Sequence, residues 1–289
     1  MIDGIKTKLV FHLFCDSAKD VSEGTETYSN SIHRKILSKY SDKFDKAIFC
    51  IALNNVNDKE TASAAVKWIM SCGFGDNLEI KVRQNDWFRD AKTFFNEIVY
   101  KSPVMNEVVM FSHNKGATHG NESENLQDNV TKWTVFSYYS IFRDFDTNVR
   151  ELSKDGLVCG YVPVHGAVTP WNYSKLNRYG WHMPGTILLI NPSKFYTFAL
   201  KNRIPLPALN DYLSGEMFFG NLFDITKAGM ENGYNVLFEG MRNVYYEAAD
   251  FNPYDVPHSE LIREFLDEWV ATQYDNFFEE ITAGHKTTK

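Results

Sequence analysis

The sequence is short of cysteine and of positive charge, and it has no long apolar run. Its four cysteines, Cys15, Cys50, Cys72 and Cys159, form no CxxC pair in 289 residues, which argues against a disulfide scaffold or a cysteine zinc centre and reads as buried free thiols. With 37 Asp and Glu against 30 Lys and Arg, the formal net charge is -7. That balance counts against a general nucleic-acid binder, whose phosphate contacts need a basic surface. No stretch reaches the roughly 18 to 20 apolar residues of a membrane helix. The apolar run in MIDGIKTKLVFHLFC is too short for a signal peptide, so a cytoplasmic protein is expected. Walker A, GxGxxG and HExxH patterns are also missing, which leaves kinase, dinucleotide oxidoreductase and metalloprotease readings without their motifs.

What the sequence does contain is an alternation of short strands and helical patterns. Strand-like runs at 8–15 (KLVFHLFC), 46–53 (KAIFCIAL), 78–82 (LEIKV) and 107–112 (EVVMFS) are rich in β-branched and aromatic residues. Between them lie helical patterns at Ile32, Ile36, Leu37, Tyr40 and Phe44, at 60–72, and at Phe88, Ala91, Phe95 and Ile98. This order predicts a single-domain α/β fold with a mostly parallel central sheet flanked by helices. Ser29 or Ser31 is placed to cap the first helix. LEIKV alternates and is expected to be half-exposed, whereas EVVMFS is nearly all apolar and is expected in the sheet centre. Farther on, Val135, Tyr138, Phe142, Phe145, Val149 and Leu152 step by three and four, the pattern of one long helix. Strand-like 157–162 and 186–190 then flank an irregular stretch, followed by a helix over 210–232, a strand at 234–239 and a closing helix over 259–281.

The fourth strand runs into a polar loop, VVMFSHNKGATHG (108–120). In open α/β sheets, ligands bind beyond the carboxyl ends of the strands. Lys115 is a phosphate-binding charge there, Gly116 allows close backbone approach, and His113 and Asn114 are polar contacts. His113 is also a candidate metal ligand, although pairing it with His119 leaves a zinc site short of its third and fourth ligands. A solvated loop with no ligand is the plain alternative.

Taken in order, VVMFSHNKG, KWTVFSYYS, a GYV strand, GWHMPGTILLIN and LSGEMFFGNLF resemble motifs of GT-A-fold bacterial glycosyltransferases that carry a His-Ser-Lys-Gly loop in place of Asp-x-Asp. The similarity covers roughly residues 105–223. The chain departs from the pattern with Asn114 where serine is usual and with PGTILLIN where aromatic residues crowd the strand. The resemblance implies a Rossmann-like nucleotide-sugar half over about 1–125 and an acceptor half with the C-terminal helix over about 126–289. It also implies transfer from a nucleotide diphosphate sugar, such as a UDP-sugar, to a hydroxyl acceptor, most simply a polysaccharide or other glycan.

Such transfer needs positive charge on the leaving diphosphate. Lys115 and His113 are placed to supply it, with Arg83 or Arg89 assisting and Mn²⁺ or Mg²⁺ as an auxiliary. Within RQND (83–86), Asn85 and Asp86 are candidates for a nucleoside or sugar hydroxyl, or else form an ordinary turn and cap. Glu216 in SGEMFF is the candidate base, with inversion at the anomeric carbon as the expected outcome; its bland alternative is a first-turn glutamate favouring the helix dipole. Trp171, Tyr179, Trp181 and His182 suit sugar rings or bases at an acceptor cleft, or simply anchor a long loop. Two further readings stay open: the same reaction on a hydroxymethylated base of phage DNA, and a non-catalytic carbohydrate- or nucleotide-binding module.

Overall fold

Consecutive apolar residues in a strand send side chains to opposite faces of the sheet, and that arrangement organises the whole structure. The computed structural model describes residues 2–114, 124–154, 156–160, 164–165, 181–182, 187–210, 214–222 and 268–283. The first half lays down β1 (Lys6–Cys15), α1 (Tyr28–Lys39), β2 (Lys46–Leu53), α2 (Lys59–Ser71), β3 (Leu78–Gln84), α3 (Arg89–Phe94, continued by a π turn over Phe95–Val99) and β4 (Glu107–His113). The second half adds α4 (Glu124–Phe142), α5 (Phe145–Lys154), β5 (Val158–Gly160), β6 (Val164–His165), β7 (Trp181–His182), β8 (Leu188–Ile190), α6 (Pro192–Asn202), α7 (Ser214–Leu222) and the C-terminal α8 (Glu268–Thr282).

Six strands form one sheet in the order β3-β2-β1-β4-β8-β5, while β6 and β7 pair separately. Neighbours among β1 to β4 run parallel, and β8 is antiparallel to both β4 and β5. The protein is therefore an α/β fold with a mostly parallel sheet flanked by helices. β4 is buried through its middle, as its apolar run predicts, and β3 is the half-exposed edge.

The two faces of the sheet carry separate cores. Leu9, Phe11 and Leu13 of β1 join Phe49 and Ile51 of β2 under α1, α2, α4, α5 and α8. Val10, Ile48, Cys50, Val109 and Phe111 face the other way, against Phe94, Phe95 and Ile98 of the α3 segment, Phe195 of α6 and Phe218 of α7. Each such large side chain, removed from water, contributes roughly 1.5–3 kcal/mol. All four cysteines are buried and free. Among the described residues no helix is long and apolar enough to cross a membrane.

Two local expectations are corrected and one element is added. The cap of α1 is Thr27, whose side chain accepts from the Asn30 amide, and Ser29 and Ser31 lie inside the helix. The long helix is two, α4 and α5. The Ile141 carbonyl, which would accept the Phe145 amide in an unbroken helix, accepts instead from Asn148 Nδ2 at 3.0 Å. Helix α6 has no counterpart in the sequence reading, although Asn191 caps it and Pro192 opens it. The helix predicted over 210–232 is seen as α7, its remainder and the strand predicted at 234–239 lying outside the described residues.

Candidate functional site

The strand order reverses direction between β1 and β4. The chain moves outward from β1 through β2 to β3, then returns to place β4 on the other side of β1. A crevice at the carboxyl ends of the strands opens at such a switch. β4 ends at His113, level with His12, while β1 continues to Cys15 beside β2. Past that point the Asn114 amide donates one more backbone bond, to the His12 carbonyl at 3.2 Å, and beyond it the Asn114 side chain takes the place of the strand. Phe14 N donates to Asn114 Oδ1 at 2.9 Å, and Asn114 Nδ2 donates to Phe14 O at 2.7 Å. The second Nδ2 hydrogen goes to Asn30 Oδ1 at 2.8 Å, and Asn30 Nδ2 donates to Asp20 O at 2.8 Å. Both amide hydrogens of Asn114 are thus held within the protein. Lys115 and Gly116 lie outside the described residues.

On the α3 side of the sheet, the apolar surface stops abruptly at this level. His12 is in register with His113 on one side and with Cys50 on the other, and Cys50 is in register with Lys81. In-register residues of a parallel pair share a face, so the two imidazoles stand side by side where β4 ends. One step farther along, Arg83 is in register with Ala52. A methyl group there leaves room for the guanidinium to lie across β2. Arg83 Nη2 reaches His12 Nδ1 at 3.2 Å, Thr93 Oγ1 at 2.9 Å and the Arg89 carbonyl at 2.5 Å. Arg89 itself sits at φ 47°, a left-handed conformation uncommon outside glycine. Nε and Nη1 of Arg83 are buried with no hydrogen-bond partner among the described residues.

His12 is 3% exposed. Burial lowers its pKa from 6.5 to about 3, a shift that Asp90 opposes and that Arg83 and His113 reinforce. The imidazole is therefore neutral near pH 7. A guanidinium can only donate, so Nδ1, which faces Arg83 Nη2 and also lies 3.0 Å from Thr93 Oγ1, acts as acceptor. The ring proton then sits on Nε2.

The remaining predicted residues divide. Asn85 follows β3 with its amide nitrogen on Asn54 Oδ1 at 3.3 Å, and its Oδ1 is buried with no hydrogen-bond partner among the described residues. Asp86 accepts from the Phe88 amide at 3.0 Å and pairs with Lys92. Burial alone would raise its pKa, and these two partners outweigh it and hold the carboxyl below the usual range. Glu216 is half-buried in the first turn of α7. That helix packs on the α3 side through Phe218, 5.3 Å from Phe94 and 5.2 Å from Phe195 between ring centroids. Trp181 and His182 form β7, whose backbone pairs with β6, while Trp171 and Tyr179 lie outside the described residues.

Two residues escaped the sequence reading. Trp87 is 64% exposed immediately after Asp86, an aromatic face open to solvent. His12 had a visible signal, as the one polar residue inside the run LVFHLFC. Its partner Arg83 lies 71 residues away in the chain, and that pairing needed the strand register.

No protein-family model matches the sequence, and no curated protein does either. Among solved structures, the chain is similar to 4-diphosphocytidyl-2C-methyl-D-erythritol synthase from Anaerococcus prevotii, with a TM-score of 0.39 and 12% identity over 75% of this chain and 85% of that one.

Proposed function

We propose that this chain is a glycosyltransferase that binds a nucleotide diphosphate sugar at the β1–β4 switch and transfers the sugar to a hydroxyl acceptor, a glycan in the simplest case. The observation that carries this reading is the abrupt change at that switch. A sheet face with an apolar core, its Lys81 paired with Glu97, ends in two adjacent imidazoles and a guanidinium whose Nε and Nη1 have no partner among the described residues. Buried donors of this kind are stabilised by an anionic ligand. The diphosphate fits them, with Lys115 supplying further charge from the loop that Asn114 anchors.

The other parts of the donor find partners nearby. Asn85 Oδ1 is an open acceptor for a nucleoside N–H or hydroxyl, and the exposed face of Trp87 suits a base or sugar ring. In this reading Asp86 shapes the loop through Lys92 and the Phe88 amide. Glu216 takes the proton from the attacking hydroxyl, and its helix covers the same face of the sheet as His12 and His113. Attack from the side opposite the leaving diphosphate inverts the anomeric carbon.

Among the described residues no three His, Cys, Asp or Glu side chains group to hold a metal ion. Imidazole beside guanidinium also suits an anion better than a hard divalent cation. A Mn²⁺ or Mg²⁺ ion would therefore be held chiefly by the diphosphate oxygens, with His113 as the protein's candidate contact, and would supply additional charge to the leaving group.

Thermal stabilisation by a panel of nucleotide sugars tests the reading. A ligand at 100 times its dissociation constant adds about 2.7 kcal/mol. One nucleotide sugar should raise the melting temperature well above what its free nucleoside does, and hydrolysis of that sugar donor without acceptor separates an enzyme from a binding module. No shift with any member of a broad panel would contradict donor binding.

A further inference from the structure

Resting on the donor-binding reading above, we propose that His12, a residue inside β1, contacts the ligand directly, as the neutral half of an oxyanion site that it forms with Arg83 on the α3 side of the switch. A histidine in the middle of a buried strand needs hydrogen bonds for both ring nitrogens. Nδ1 has them, from Thr93 and Arg83. Nε2, which carries the proton, has no hydrogen-bond partner among the described residues. The ring is 3% exposed and stands beside His113, where β4 ends.

Arg83 presents the complementary half. Its Nη2 is fixed by three contacts to His12, Thr93 and the Arg89 carbonyl, while Nε and Nη1 are left open. A guanidinium held by one nitrogen with its other N–H groups free is arranged to grip an oxyanion, because the fork matches two oxygens of one group. No carboxylate of the described residues closes this fork as an ion pair; Asp86 pairs with Lys92 instead.

Neutrality of the imidazole matters to this role. A charged His12 beside Arg83 and His113 would concentrate repulsion in a buried site, whereas a neutral ring donates one hydrogen bond without that penalty. The neutral ring also fixes which nitrogen faces the ligand. Thr93 is the positioning residue, since its hydroxyl touches both His12 Nδ1 and Arg83 Nη2. The oxyanion that matches this pair is a phosphoryl group of the donor. A sugar carboxylate shares the chemistry and is separated from it by experiment.

The test uses inorganic pyrophosphate as the probe and hexuronate as the second arm, each titrated calorimetrically into the full-length protein. Wild type should bind pyrophosphate, and Arg83→Met and His12→Phe should each weaken it by about 10-fold or more, the scale of one lost charge-assisted bond. His12→Gln, whose amide keeps a donor near the position of Nε2, should retain most of the affinity. Imidazole nitrogen resonances supply a second readout, taken on wild type. The signal missing from His12→Gln should show the proton on Nε2 in wild type and move when pyrophosphate is added.

Equal affinity in all four proteins, no pyrophosphate binding by wild type, or a His12 signal that carries its proton on Nδ1 or does not move would each overturn the proposal. Binding of hexuronate but not pyrophosphate, with the same dependence on His12, would also overturn it in favour of a carboxylate site. Pyrophosphate binding that depends on His12 in a protein no nucleotide sugar stabilises would leave this site standing and remove the donor reading. A nucleotide sugar that binds His12→Phe as well as wild type would do the reverse.

Discussion

The two faces of the sheet treat their buried polar groups differently. On the α1 and α4 side, Tyr138 is buried beside Ser112 of β4 and His33 of α1, with its hydroxyl 2.6 Å from Ser112 Oγ and 2.8 Å from His33 Nδ1. Helix, helix and strand are joined there inside an aromatic core, where Phe11 meets His33 edge-on at 5.7 Å. Burial pushes the Tyr138 hydroxyl far above its ordinary pKa, so it stays a neutral donor. On the α3 side, His12, His113 and Arg83 occupy the same level of the sheet, and Arg83 Nε and Nη1 have no hydrogen-bond partner among the described residues. A buried network shared by two helices and a strand fixes a fold. The Arg83 donors differ in their place: they stand at the strand ends where the order reverses, the position at which a ligand site is expected in an open α/β sheet. In the proposed reading the first face serves stability and the second serves binding.

The largest effect expected from breaking that division is catalytic. Glu216→Gln keeps size and hydrogen bonding but cannot accept the acceptor's proton, so single-turnover transfer with saturating substrates should fall on the order of 10²- to 10⁴-fold. Donor affinity and melting temperature should barely move. If Glu216 only favours its helix dipole, the change costs about 0.3–1 kcal/mol of stability and turnover stays near normal.

The next effect concerns affinity. Lys115→Ala should weaken nucleoside diphosphate binding by roughly 10- to 100-fold while leaving nucleoside binding nearly unchanged, since only the phosphate loses its charged partner. Calorimetric titration of both ligands decides this, and equal weakening would remove the loop from the phosphate site.

Smaller still is a pH effect that separates the faces. Because the His12 pKa falls from 6.5 in the unfolded chain to about 3 in the folded one, the unfolded state binds a proton across that window that the folded state does not. Stability from this neutral ring is complete above about pH 6.5 and is lost as pH drops toward 3, by up to about 1.4 kcal/mol per pH unit. Urea unfolding at pH 7 and pH 5 should therefore show a steeper loss in wild type than in His12→Gln. Matching losses would mean that His12 is not held neutral by burial.

How much of this was legible in the sequence follows the range over which each signal acts. β1, β2 and β4 announced themselves through continuous apolar runs, and the loop after β4 through its change to His, Asn, Lys and Gly. The break between α4 and α5 was hidden, because Phe142 and Phe145 keep helical spacing while the Asn148 side chain ends the first helix from six residues beyond it. Helix α6 was overlooked, although Asn191 and Pro192 are a start signal with Phe195 and Ala199 on one face. Arg83 was legible as a charge for the diphosphate, but its pairing with His12 was not. That pairing depends on the parallel registers that carry Arg83 over Ala52 toward His12, and no local pattern encodes a register across three strands. Asn114 was legible as polar but not as the side chain that extends the β1 ladder.

The most direct test of the division between the faces is one thermal-melt experiment on wild type, Tyr138→Phe and Arg83→Met, each with and without the nucleotide sugar that stabilises wild type. Tyr138→Phe removes the hydroxyl that Ser112 and His33 share. It should cost about 1–3 kcal/mol of stability and keep the ligand-induced rise. Arg83→Met should lose most of the rise, whatever stability its contacts to His12, Thr93 and the Arg89 carbonyl contribute. The opposite pattern, with Arg83→Met still responsive and Tyr138→Phe unresponsive, would contradict the assignment of binding to the α3 face.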